Sequence, residues 1–275
     1  MQPALEITSP IPATSTPALS AENAFRVGRV ITRTFSAWRR HVLVFSLMTL
    51  VADLPIFLVP LLGGGPVAGV TAPSASPFDP AATPAPTPTF WVAYLVTMLL
   101  FVVEAGAITH GVIQHLAGKP VSLGAMVATG LRRFLPLLAV GLLCYLMVAV
   151  GLVLLVVPGV IFATALAAAI PAVVVERPGV FGAIKRSFAL TKGKRFTIFT
   201  AALVLFVVMF GVTLFGSFLL PLLTAPISPM IGTLLGLAVN VVFGTLLWVA
   251  PGVIYHDLRV AKEGVATAQL AAIFE

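Results

Sequence analysis

Charged side chains are scarce in this sequence. They make up 9% of its 275 residues, whereas hydrophobic residues make up 59%. A soluble domain of this composition would have too little charged surface to cover its own core, so we predict an integral membrane protein. The formal net charge is +7, but the cations lie beside long apolar runs. We therefore expect them to face anionic lipid headgroups at a membrane surface, and not nucleic acid.

The sequence also lacks residues that catalysis or cross-linking needs. Cys144 is the only cysteine, which excludes a disulfide within the chain. The hydrolase motif G-x-S-x-G, the zinc motif H-E-x-x-H and the nucleotide-phosphate motif G-x-x-x-x-G-K-[ST] do not occur. We expect no enzymatic activity and no cofactor. Residues 1–20 have neither the basic start nor the apolar run of a secretory signal, which predicts a disordered cytoplasmic tail.

Two uncharged runs are each too long for one crossing of a bilayer. Residues 135–175 and 196–255 contain no Asp, Glu, Lys or Arg. Even the shorter run would form a helix of about 62 Å, roughly twice the hydrocarbon thickness, so each run must fold back once. Pro158-Gly159 predicts a tight turn in the first run, and the prolines of residues 221–229 predict a turn in the second.

Six transmembrane helices result, because only helices satisfy the backbone of such runs in lipid. The fold class is an all-α, polytopic membrane bundle over residues 21–264, arranged as three hairpins. The predicted spans cover residues 42–62, 90–116 and 135–157, a short fourth span that ends near 175, and residues 196–223 and 231–254. A flexible loop is expected before Phe90, and residues 265–275 form a C-terminal tail.

The cations occupy alternate connections between these spans. Five precede the first span, three lie between the second and third, six lie between the fourth and fifth, and two follow the sixth. The positive-inside rule then places both termini and both basic loops in the cytoplasm. Arginines and aromatic residues alternate at helical spacing in residues 21–41, which predicts basic amphipathic helices on the cytoplasmic surface.

The basic segments resemble one another. RTFSAW at 33–38, leading into RRHVLVF, is similar to RSFALT at 186–191, leading into GKRFTIF, and ATGLRRFLPLL at 128–138 is a shorter version. The chain can thus consist of three units, each a basic helix leading into a transmembrane hairpin. The alternative is that hydropathy alone makes basic-to-apolar junctions look alike.

One group of membrane proteins shares the motifs around the third basic segment. AIKRSFALTKGKRFTIF, preceded by AVVVERPG and followed after two spans by YHDLR and KEG, resembles the glycerophosphoryl diester phosphodiesterase membrane-domain family and related uncharacterised bacterial membrane proteins. The resemblance covers about residues 24–264 and implies a multi-helix protein of the bacterial inner membrane. Some family members carry a fused phosphodiesterase domain. The membrane segments leave no room for one here, so we do not expect that activity.

Two acidic residues lie inside predicted spans. Asp53 and Glu104 are each about 16 to 18 Å from the inner ends of their spans, near the middle of the bilayer, and Asn240 lies at comparable depth. One interpretation is a proton or cation site, because two adjacent carboxylates cannot both ionise cheaply there. The other is a pair of neutral acids that fix helix packing. The lack of a basic partner and of a broken-helix motif favours this second interpretation.

Three histidines approach the predicted cytoplasmic face: His110, His115 and His256. Three imidazoles can bind zinc, but a spacing of five residues does not place two ligands on one helical face as an i,i+4 pair does. We expect interfacial histidines that bond to water or backbone, with no metal site.

The densest group of cations lies between the fourth and fifth spans. This basic cluster consists of Lys185, Arg186, Lys192, Lys194 and Arg195. Near an anionic leaflet each cation contributes about 1 kcal/mol of attraction, although any basic loop also sets topology. We predict a non-catalytic membrane scaffold or accessory protein that contacts anionic lipid or a membrane-protein partner. The alternative is a proton- or cation-coupled transporter that uses Asp53 and Glu104.

Overall fold

The computed structural model describes residues 25–59 and 87–263, and these residues form helices and no strand. The predicted tails over residues 1–20 and 265–275, and most of the predicted loop before Phe90, lie outside the described residues. The helices are α1 (Val27–Leu58), α2 (Pro88–Leu116), α3 (Leu123–Arg132), α4 (Phe134–Leu154), α5 (Val156–Ala165), α6 (Ala169–Val175), α7 (Val180–Thr191), α8 (Arg195–Leu214), α9 (Leu220–Thr224) and α10 (Pro229–Glu263). A π-helical turn, Phe215–Leu219, joins α8 to α9.

Six helical segments are long and apolar enough to cross a membrane, in agreement with the predicted number of spans. They are Val27–Leu58, Pro88–Leu116, Phe134–Leu154, Val156–Val175, Arg195–Thr224 and Met230–Glu263. The all-helical, multi-pass character of the protein is therefore confirmed for the described residues.

The turn between the third and fourth spans lies at Leu155, where the backbone is extended (φ −166°, ψ 148°). The predicted turn at Pro158-Gly159 is therefore wrong by three residues. Pro158 lies in the first turn of α5, where its missing N–H costs no hydrogen bond. Gly159 instead permits a close approach of α5 to α4. A Cβ added to Gly151 of α4 would lie only 2.8 Å from the Cα atom of Gly159.

The fourth span is broken, contrary to the expectation that no span carries a broken helix. α5 ends at Ala165 and α6 begins at Ala169. The Ser187 hydroxyl of α7 donates to the Ala165 carbonyl (2.7 Å) and accepts from the Ala168 N–H (3.2 Å). Thr191, one turn later, also donates to the Ala165 carbonyl (3.3 Å). Helix α7 thus supplies the partners that a helical break inside an apolar span requires.

The three junctions between a basic segment and a span share one backbone conformation. His41 (φ −125°, ψ 22°) bends α1 at the predicted boundary between the amphipathic segment and the first span. Arg133 (φ −103°, ψ 8°) separates α3 from α4, and Lys194 (φ −123°, ψ 6°) precedes α8. Leu166 (φ −95°, ψ 0°) and Ala168 (φ −98°, ψ 1°), at a junction with no basic residue, adopt the same conformation, so this geometry is a general feature of the helix junctions and the three-unit interpretation stays a prediction.

The basic segments meet at one end of the bundle. Arg33 near the start of α1 pairs with Asp257 near the end of α10, and Arg186 of α7 pairs with Glu263 at the end of α10. We call this the basic end: the start of α1, the connection from α2 to α4, α7 and the end of α10. The opposite end, which contains Leu155 and the connection from α9 to α10, we call the uncharged end.

Candidate functional site

A buried carboxyl group lies between α1 and α2. Glu104 is only 2% exposed, and its Oε1 atom accepts a short hydrogen bond from the Thr49 hydroxyl of α1. Its Oε2 atom is also buried and has no hydrogen-bond partner among the described residues. A buried carboxyl oxygen without a partner is costly, so a proton or a cation bound at this position would be stabilised.

Asp53 lies on the same face of α1, four residues after Thr49. It is half-buried and close enough to Glu104 for the two charges to interact. The two acids that the sequence singled out therefore lie within electrostatic reach of each other. Sequence reasoning missed Thr49, whose spacing from Asp53 was the available signal. Chemically, such a pair can share a proton or hold a cation.

Asn240 lies elsewhere and belongs to a helix contact. Its Nδ2 atom donates to the Ser217 hydroxyl (3.0 Å) in the π-helical turn and to the Gly236 carbonyl (2.9 Å). A Cβ added to Gly236 would lie 1.9 Å from the carbonyl oxygen of Gly216, so two glycines set the separation of α10 from this turn. The geometry gives Asn240 a packing role at a close helix contact.

The three histidines that were considered as zinc ligands have separate neighbours. The ring nitrogens of His115 and His41 are 3.2 Å apart. His110 Nδ1 lies 3.4 Å from the Thr129 hydroxyl, and His256 Nδ1 lies 3.1 Å from the Asp257 carboxylate. Each of these three imidazoles therefore has a different side-chain neighbour.

Within the basic cluster, Arg186 has protein partners. Its Nε donates to Glu176 (2.7 Å), and its Nη2 pairs with Glu263. Burial lowers the pKa of Arg186, but the hydrogen bonds and charges of these two carboxylates outweigh it and hold the pKa above its ordinary value. Arg186 therefore joins α7 to the ends of α6 and α10.

The other four residues of the cluster differ in exposure. Lys185 and Lys192 are exposed, and Lys194 is half-buried. The Arg195 guanidinium lies 5.5 Å from the centre of the Phe188 ring, in a cation–π contact. The lysines are therefore the members of the cluster that can reach a surface ligand.

Sequence reasoning did not identify Glu176 and Glu263, the two acids that bind Arg186. Glu176 also accepts a hydrogen bond from the Tyr255 hydroxyl (2.7 Å), and Glu263 accepts one from Arg259 Nε (2.9 Å). All four of these residues lie in the quoted motifs: Glu176 in ERPG, Tyr255 and Arg259 in YHDLR, and Glu263 in KEG. The signal was present in those motifs, but only the fold shows that they meet.

Comparison with protein-family models, with curated proteins and with solved structures gives no match for this chain. The polytopic helical fold and the geometry of its sites are therefore the basis for a functional assignment.

Proposed function

We propose that the protein is a non-catalytic scaffold or accessory component of a bacterial inner membrane, whose basic end binds anionic lipid headgroups. In this proposal the spans form three hairpins, both termini are cytoplasmic, and α3 and α7 lie at the cytoplasmic membrane surface. The resemblance to the phosphodiesterase membrane-domain family stays a prediction that agrees with this arrangement.

One observation carries the proposal: the described acids of the basic end are already paired. Glu176 and Glu263 bind Arg186, and Asp257 binds Arg33. The exposed Lys185 and Lys192 therefore present positive charge that no described carboxylate balances. Each such cation beside an anionic leaflet contributes about 1 kcal/mol of attraction, so several together select anionic over zwitterionic lipid.

The test replaces Lys185, Lys192 and Lys194 with glutamine. We expect the purified variant to bind phosphatidylglycerol more weakly in native mass spectrometry and to lose its preference over phosphatidylcholine. The matched control replaces the same three lysines with arginine, which keeps the charge and should keep the preference. An unchanged preference in the glutamine variant would overturn the proposal.

The membrane orientation has its own test. We expect Ala75, between the first two spans, to lie on the outer side of the membrane, so a reporter inserted there should be found on that side and not in the cytosol. Cytosolic activity of that reporter would contradict the proposed placement of the basic end.

A proton- or cation-coupled transporter is the second candidate, and the unpartnered Glu104 Oε2 atom favours it. The break in the fourth span also favours a transporter, since broken helices often line ion sites in transporters.

The discriminating variant combines Asp53→Asn with Glu104→Gln. A transporter would lose proton flux in proteoliposomes that contain a pH-sensitive dye, whereas Asn240→Ala, outside the acid pair, should retain it. If the double variant assembles normally and its flux equals that of the wild type, the acids serve packing and this candidate is excluded.

A further inference from the structure

A polar cavity lies at the basic end, away from the basic cluster. Its volume is about 490 Å³, and it is bounded by α2, α3 and the connection from α6 to α7. The lining residues are His110, Ala125, Ala128, Thr129, Arg132, Arg133, Val174 and Arg177. Three arginines from two separate parts of the chain thus line one cavity.

The described arginines and lysines that line this cavity bring positive charge only, from Arg132, Arg133 and Arg177. No carboxylate among the described residues lies within ion-pair distance of Arg132, Arg133 or Arg177. Burial, and then the charge of Arg177, lower the pKa of Arg133. The fold therefore holds like charges near each other, an arrangement that an anion between them would stabilise.

The backbone at Arg177 adds an independent observation. Its φ of +57° makes it the only non-glycine residue with positive φ among residues 25–59 and 87–263. A long side chain in this left-handed region costs about 1 kcal/mol or more, and such residues cluster where function requires a particular placement. Glycine or asparagine would suit the turn better, yet the sequence has an arginine that lines the cavity.

We propose that this cavity binds a phosphate group, carried either by an anionic phospholipid headgroup or by a soluble phosphate ester. Guanidinium groups bind phosphate oxygens through paired, charge-assisted hydrogen bonds. The volume lies in the range of small-molecule pockets and exceeds what inorganic phosphate alone would fill. The site does not depend on the proposed lipid contact of the basic cluster, since none of the five cluster residues lines it.

The experiment titrates the full chain in detergent micelles with glycerol 3-phosphate and, separately, with phosphatidylglycerol. Binding of the soluble ester alone would identify a phosphate-ester site. Binding of the lipid alone, or of both probes, would identify a headgroup site or a site that accepts both sources. If neither probe binds, the proposal is wrong.

The variants assign any binding to the cavity. Arg177→Asn removes one guanidinium but keeps a residue that tolerates the left-handed backbone, so it should fold with an unchanged or higher melting temperature. We expect it to weaken binding about tenfold, and Arg132→Gln with Arg133→Gln to weaken it further.

Arg39→Gln with Arg40→Gln is the matched control. Like Arg132 and Arg177, these two arginines are exposed; they lie just before the bend of α1 at His41 and do not line the cavity. The control should change the affinity less than about twofold. Equal losses in the control and the cavity variants, or unchanged binding in Arg177→Asn, would overturn the proposal.

Discussion

The two halves of α2 differ sharply in their surroundings. Residues 104–113 are all buried, whereas Trp91, Val92 and Leu95 in the first turns are 57 to 64% exposed. The buried half contains small and polar residues such as Glu104 and Gly106, whereas the exposed half has mainly large apolar side chains. The buried half lies at the basic end, where glycines, hydroxyls and ion pairs join the helices, and the exposed half offers its side chains to lipid. The bundle is thus organised by specific contacts at one end and by lipid solvation at the other.

Gly130→Ala, at the contact of α3 with the buried half of α2, should cause the largest loss of stability. An added Cβ would lie 2.4 Å from the Val103 carbonyl oxygen, a backbone atom of α2 that cannot move aside. We expect a loss of about 1–3 kcal/mol in the free energy of unfolding, measured by denaturation in micelles. Gly141→Ala is the control, because its Cβ meets nothing within 4 Å. Equal stability of the two variants would contradict close packing of α3 on α2.

Ser187→Ala tests the hydroxyl that spans the break between α5 and α6. It removes the acceptor of the Ala168 N–H and the shorter of the two hydroxyl donors to the Ala165 carbonyl, which should cost about 1–3 kcal/mol of unfolding free energy. Thr34→Val is the comparison, since within the described ranges the buried Thr34 hydroxyl bonds only to the Val30 carbonyl of its own helix. We expect the threonine variant to lose less. The opposite order would show that the break does not depend on α7.

Glu176→Gln should have a smaller effect, because glutamine keeps an oxygen that can accept from Tyr255, and Arg186 keeps its second carboxylate partner, Glu263. We expect a loss of under about 1 kcal/mol in unfolding free energy that diminishes further in high salt. A double-mutant cycle with Arg186→Gln measures the coupling directly. A salt-independent loss well above this size would show that the network is shielded from water.

Trp91→Phe should have the smallest effect on stability, within about 0.5 kcal/mol of the wild type. Trp91 is exposed near the start of α2 and stacks edge-to-face on Phe90. We predict that it anchors the uncharged end at the membrane interface. Lipids brominated near the headgroup should therefore quench more fluorescence in the wild type than in the variant, and equal quenching would contradict the anchor.

The sequence predicted the spans well because charge and length constrain them strongly. It placed the turn at Pro158 instead of Leu155, because proline is as acceptable in the first turn of a helix as in a loop. The break after Ala165 has no local signal, since it depends on hydroxyls more than twenty residues away.

The candidate site was predictable only in part. Depth arithmetic placed Asp53 and Glu104 at a similar height, and the fold brings them within electrostatic reach. The hydrogen bond from Thr49 and the cavity around Arg177 were not predictable, because both depend on which faces of the helices meet.

The hydroxyls that stabilise the break in the fourth span have a mechanical consequence. Ser187 and Arg186 are neighbours on α7, so one short helix holds both the interrupted backbone inside the bundle and an ionic link to the end of α10. A ligand or partner that pulled α7 outward would strip the Ala165 carbonyl of its side-chain donors. A displacement of this surface helix would therefore destabilise the break inside the fourth span.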